Sequence, residues 1–140
     1  MSKIAVVYWS GTGNTEAMAK EVESGALSAG LEVSVFTATD FAGNMVNDYD
    51  AVAFGCPSMG AEQLEDSEFE PMFADCEANL NGKKIALFGS YGWGDGEWMR
   101  EWEERCKNDG AVLACESVIC NDAPDDGAKG QCQNLGKSLA

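Results

Sequence analysis

Apolar positions along the chain fall into five short runs separated by amphipathic or turn-rich stretches. The first, Ile4-Ala5-Val6-Val7-Tyr8-Trp9, predicts a strand over Lys3 to Tyr8. Met18, Val22, Gly25 and Ala29 then recur at helical spacing, so a helix is expected from Glu16 to Ala29, with Gly30 at its C-cap. Leu31 to Val35 alternates as a second strand, and Thr39 to Asn47 reads as a short helix or loop. Asp50 to Gly55 is a buried third strand, followed by a helix from Ser67 to Leu80. Lys83 to Phe88 is the fourth strand, and a charged helix runs on to about Lys107. Val112 to Ile119 is the fifth strand, and Asp125 to Leu139 a final helix. Strands alternating with helices imply a parallel sheet covered on both faces by right-handed crossovers.

In such folds ligands bind beyond the carboxyl ends of the strands, where strand order reverses. Three loops lie there by position: 10–15, 56–62 and 89–96. The first, Ser10-Gly11-Thr12-Gly13-Asn14-Thr15, joins a strand to a helix, and helix N-termini attract anions through unpaired N–H groups and the positive end of the dipole. An ordinary N-cap turn uses the same residue types, so this loop alone decides nothing. It has no lysine, which a Walker loop needs, and Glu16 stands where a dinucleotide fingerprint needs a third glycine. Neutral donors alone suit one phosphate monoester.

The other two loops carry side chains that a bland connector does not need. Tyr91 and Trp93 sit among Gly92, Gly94 and Gly96, where a planar ring can stack, although aromatics can equally pack on the core. Trp98 and Trp102, spaced i and i+4, are assigned to packing. Met59 offers a polarizable apolar face and Glu62 an acceptor for a ring N–H. A planar heterocycle bearing one phosphate, with no histidine in the chain, points to flavin mononucleotide, FMN.

Composition narrows the setting. The chain has 140 residues, 45% of them hydrophobic, enough for one domain over 1–140, with no apolar run of membrane-spanning length and no signal-peptide pattern. A cytoplasmic protein is expected. Its six cysteines, at 56, 76, 106, 115, 120 and 132, form no CxxC pair, and are read as reduced packed thiols rather than metal ligands. A net charge of −15 excludes nucleic acid as a natural partner and disfavours anionic membranes.

Together, Ser10 to Thr15 after an apolar strand, Met59-Gly60-Ala61-Glu62, Gly89-Ser90-Tyr91-Gly92-Trp93-Gly94 and Glu68-Phe69-Glu70-Pro71 resemble the flavodoxins, specifically the short-chain type of anaerobic bacteria. The resemblance covers essentially the whole chain. It implies a doubly wound five-stranded parallel sheet of order 2-1-3-4-5 with helices on both faces, and FMN held by the three loops. Residues 10–15 would take the phosphate. Met59 would cover the inner face of the isoalloxazine and Trp93 the outer, while Glu62 would accept from ring N3–H. Pro57, Ser58, Gly60, Ala61, Ser90, Tyr91, Gly92 and Gly94 complete the expected site, with Asn121 at the flavin edge.

The family's role, low-potential one-electron transfer between redox enzymes in place of ferredoxin, is a carrier's role and not that of an enzyme. It implies a monomer and partners such as reductases, 2-oxoacid oxidoreductases and ferredoxin-dependent enzymes. In a Met59-Gly60-Ala61-Glu62 turn, type II′ needs positive φ at Gly60 and type II needs it at Ala61, which alanine resists. Alanine is therefore expected to favour the form whose carbonyl meets the N5 proton of the semiquinone. The fully reduced flavin would be an anion among Glu62, Glu65, Asp66, Asp95 and Glu97, so its formation should be disfavoured. Glu68 and Glu70, then Glu101, Glu103 and Glu104, extend this acidic rim, which basic partners would meet.

Other classes of similar fold fit less well. A receiver domain needs an aspartate where Gly55-Cys56 stands, and a Cys-x5-Arg phosphatase loop fails because the position counted from Cys56 is Glu62. The alternative kept is an FMN-dependent NAD(P)H:quinone reductase of the same fold, although Trp93 would occupy the ring face such an enzyme leaves open.

Overall fold

The structure is a computed structural model and describes residues 2–60 and 62–140. Six parallel strands form one sheet: β1 (Lys3–Tyr8), β2 (Glu32–Thr37), β3 (Ala51–Gly55), β4 (Lys84–Tyr91), β5 (Val112–Leu113) and β6 (Val118–Asn121). The order is β2-β1-β3-β4-β5, as expected, with β6 also on β4. Phe88 pairs with Gly55 on one side and Val118 on the other, so β5 and β6 follow each other along the same edge of β4. The expected fifth strand is thus two pieces. Partners Ile85 and Phe88 are three residues apart on β4, while Leu113 and Val118 are five apart on the edge. The two surplus residues leave the ladder.

β1 shows how the sheet is covered. Ile4 and Val6 join the core beneath α1 (Asn14–Ser28) and α4 (Asp126–Ser138), whereas Ala5 and Val7 join the core beneath α2 (Phe69–Cys76) and α3 (Glu97–Asn108). All four are fully buried, which is why the strand reads as a continuous apolar run instead of an alternating one. Trp98 and Trp102 of α3 are buried as expected, with Trp102 edge-on to Phe69 and Phe73.

Several boundaries move, each for a local reason. The first helix starts at Asn14, not Glu16, because Gly13 takes a left-handed φ of 97° and reverses the chain directly into the first turn. The 39–47 stretch is two 3₁₀ turns, Ala38–Asp40 and Gly43–Asp48. The helix expected from Ser67 to Leu80 is α for Phe69–Cys76 only, and tightens to 3₁₀ over Glu77–Asn79. Its start is set by Glu65, which is buried and accepts from the backbone N–H groups of Ser67, Glu68 and Phe69 at 2.8–2.9 Å and from the Ser67 hydroxyl. Burial pushes the Glu65 carboxyl up, but these four donors outweigh it and hold the acid below its usual range. β4 runs to Tyr91, taking Gly89 and Ser90 out of the expected loop, because β6 pairs beside them.

Candidate functional site

The carboxyl ends of β1, β3 and β4 bring the three loops to one cavity of about 210 Å³. Its walls are Ser10, Gly11, Thr12, Asn14 and Thr15 from the first loop, Pro57, Ser58 and Met59 from the second, and Ser90, Tyr91 and Gly92 from the third. Trp9 and Asp122 complete it. A larger cavity, about 550 Å³, shares Trp9 to Thr12 with it, but of the three loops only the first reaches it. The smaller cavity is therefore the candidate site.

The first loop is tied from within. Ser10 Oγ accepts from the backbone N–H of Gly13 at 3.1 Å and of Glu16 at 3.3 Å, so the hydroxyl bridges the loop to the first turn of α1. Thr15 is 1% exposed, and its hydroxyl has no hydrogen-bond partner among the described residues. A buried hydroxyl without a partner costs about 1–3 kcal/mol. Its position in the first turn of a helix, beside a cavity, fits an anion that would satisfy it. Gly11 lies close against the indole: a Cβ there would be 3.0 Å from Trp9 Cη2.

The second and third loops are built differently. Ser58 N–H donates to the Ser90 carbonyl at 3.0 Å, and the Trp98 indole N–H to the Cys56 carbonyl at 3.2 Å, so the base of the second loop is anchored to β4 and α3. Its tip closes one residue later than the expected turn, with Met59 and Gln63 exchanging backbone hydrogen bonds at 2.8 and 3.0 Å. Gly60 has φ 55°, the sign that the type II′ reading requires, and Glu62 is also left-handed at 51°. Ala61 lies outside the described residues.

Glu62 folds beneath the third loop. Gly94 holds a left-handed φ of 87° and a Cβ there would come within 2.3 Å of Glu62 Oε1, so any larger residue would strain the loop and displace the carboxylate, and that buried oxygen has no partner among the described residues. An unpaired acceptor here fits a ring N–H. The acids crowd one another: Glu97's carboxyl is pushed up, first by Glu101 and then by Glu62.

Met59 is 38% exposed and Trp93 63% exposed, two large apolar side chains left uncovered at the loop tips. Tyr91 is half-buried and packs its ring on Trp98, with centroids 5.5 Å apart, so it is partly core and partly wall. Gly13, Gly60, Glu62, Trp93 and Gly94 belong to the loops without lining the cavity. Asn121 does not line it either: its side chain donates to the Tyr91 carbonyl at 3.3 Å. The wall is instead its neighbour Asp122, left-handed at φ 57°, whose carbonyl accepts from Ser90 Oγ at 2.6 Å. Two wall residues thus escaped sequence reasoning. Trp9 closed the apolar run just beyond the expected strand, and Asp122 was hidden in a turn-forming Asn-Asp-Ala-Pro stretch.

The acidic rim is smaller than its sequence suggests. Glu65 caps α2, and Glu70 and Glu77 are both claimed by Arg105 at 2.6–2.9 Å. Arg100 pairs with Asp95 at 3.0 Å among the ring-end acids, a cation the sequence reading did not place there. All six cysteines are free, and burial pushes the Cys56 thiol far above its ordinary value, so it stays protonated.

A family model described as Flavodoxin matches residues 6–134. The chain is 45% identical over 137 residues to a flavodoxin of Megasphaera elsdenii, covering 98% of both chains, and 44% identical to one of Clostridium beijerinckii, covering 96% and 97%. Its fold is similar to the solution structure of two-electron reduced Megasphaera elsdenii flavodoxin, with a TM-score of 0.89 over 97% of each chain.

Proposed function

This chain belongs to the flavodoxin family of FMN-binding electron carriers, and we propose that it works as a low-potential one-electron shuttle able to stand in for ferredoxin. The observation that carries this reading is the convergence of the three loops on one cavity, whose wall holds an unpartnered Thr15 hydroxyl and an uncovered Met59, with Trp93 uncovered on the third loop.

Bound FMN supplies the redox chemistry, accepting and returning electrons singly. Ser10, Thr12, Asn14 and Thr15, with the N–H groups around Gly11 and Gly13, take its phosphate. Met59 and Trp93 cover the two ring faces and exclude water, and Glu62 accepts from the pyrimidine N–H. Pro57, Ser58, Ser90, Tyr91 and Gly92 shape the remaining wall, Gly94 makes room for the Glu62 carboxylate, and Asn121 braces the wall through the Tyr91 carbonyl. Gly60's carbonyl is the acceptor for a proton at ring N5. Glu62, Asp95, Glu97 and Asp122 outnumber the cation Arg100 there, so further negative charge on a bound ring would be disfavoured.

Acting as a monomer of one domain in the cytoplasm, the protein would dock through this acidic edge on basic surfaces of reductases, 2-oxoacid oxidoreductases and ferredoxin-dependent enzymes. Reduction of the FMN-loaded protein by a 2-oxoacid oxidoreductase is the test. Reduction should be fast at low salt and slow as ionic strength rises. Turnover of NADPH with a quinone beyond that of free FMN would instead make it an enzyme.

A further inference from the structure

The Trp9 indole stands between the two cavities, contributing to the wall of each. Its N–H donates to Glu68 Oε1 at 2.8 Å, a charge-assisted bond 59 residues away along the chain. Its benzo edge meets Gly11, where a Cβ would be 3.0 Å from Cη2 and 3.3 Å from Cζ3. Gly11 and Thr12 are exposed and border the larger cavity, so on that side the indole is what the loop rests on. The backbone of Glu68 is fixed, since its N–H donates to the buried Glu65 carboxylate at 2.8 Å.

From this chain of contacts we propose that Glu68 is a positioning residue for the phosphate grip, acting through Trp9. Glu68 holds the indole in one orientation, the indole sets where the Gly11 backbone lies, and the loop's N–H groups are thereby aimed before any ligand arrives. Ser10 ties the loop from the inside, and the Glu68–Trp9 pair ties it from the outside. A tryptophan ring has few rotatable bonds, so one strong hydrogen bond at its far end fixes the whole wall. With its N–H committed to Glu68, the indole is a support and not a phosphate donor. The carboxylate also adds negative charge on the phosphate side, so its structural contribution must outweigh that repulsion.

The inference rests on the FMN reading, and the test separates the two. Full-length apoprotein is titrated with FMN and with riboflavin, which lacks the phosphate, following flavin fluorescence. Glu68→Ala should raise the Kd for FMN about tenfold, the size expected for losing a charged hydrogen bond, while riboflavin changes less than about threefold. Trp9→Phe, which keeps a ring but removes the N–H, should match it. Glu68→Gln retains an acceptor and should restore FMN binding to within about threefold of the parent. The double variant Trp9→Phe/Glu68→Ala should be no worse than either single one. An FMN Kd for Glu68→Ala that is unchanged or tighter, equal losses for FMN and riboflavin, or additive losses in the double variant would overturn the proposal. Failure of the parent protein to bind either flavin would instead remove the FMN reading.

Discussion

The two ends of the site are made in opposite ways. At the phosphate end the loop is short and internally tied, its key hydroxyl on Thr15 is buried, and Ile4 to Val7 of the neighbouring strand β1 are fully buried. At the ring end Met59 and Trp93 stand exposed, and Gly60, Glu62, Gly94 and Gly96 all hold left-handed φ. A prepared anion site gives affinity at small ordering cost. Loops with uncovered aromatics and strained turns can settle around a ring and readjust when its protonation changes. On the proposed reading the phosphate end is the anchor, and the ring end is where redox properties would be set.

The largest effect should break the anchor alone. Thr15→Val removes the donor but keeps the shape, and should weaken FMN binding about 10- to 100-fold while leaving riboflavin binding unchanged. Because the hydroxyl has no partner, the apoprotein should be equally or more stable, as its thermal midpoint would report. Trp93→Ala probes the other end. It should weaken FMN and riboflavin by the same factor, about tenfold from lost stacking, and shift apoprotein stability by less than about 0.5 kcal/mol, as an exposed side chain should.

Gly60→Ala sharpens the redox half of the contrast. Alanine resists the left-handed region by about 1–2 kcal/mol, so the first one-electron midpoint should fall by roughly 50 mV, and an unchanged midpoint would take the turn out of the mechanism.

The smallest effect is a control that both ends should ignore. Burial first, then Glu77, pushes the Asp109 carboxyl up to about 6 from its ordinary 3.8, against the pull of Arg105. The folded protein therefore holds this proton more tightly than the unfolded chain. The resulting stabilisation is full below about pH 3.8 and lost as pH rises through about 6. Asp109→Asn should flatten the thermal midpoint across that window without altering FMN affinity.

The anchor was legible in the sequence, and much of the ring end was not. β1 and its loop announce themselves because an unbroken apolar run leads into glycines and hydroxyls, all within a dozen residues. The ring end depends on distant pairings. β6 draws Ser90 and Tyr91 into the sheet, and the break at Leu113 comes from a two-residue mismatch with β4 that hydropathy cannot register. Glu65 looks like one more rim acid beside Asp66, yet it caps a helix. Trp9 reads as the end of the apolar run, and its bond to Glu68 appears only once the fold brings the two together.

Central to this account is that one FMN, held by three loops, moves electrons one at a time. The most direct measurement is an anaerobic spectroelectrochemical titration of the FMN-loaded protein at neutral pH. Two separate one-electron steps, the second clearly at lower potential, are the predicted result. A single two-electron step, or a second step at or above the first, would contradict it.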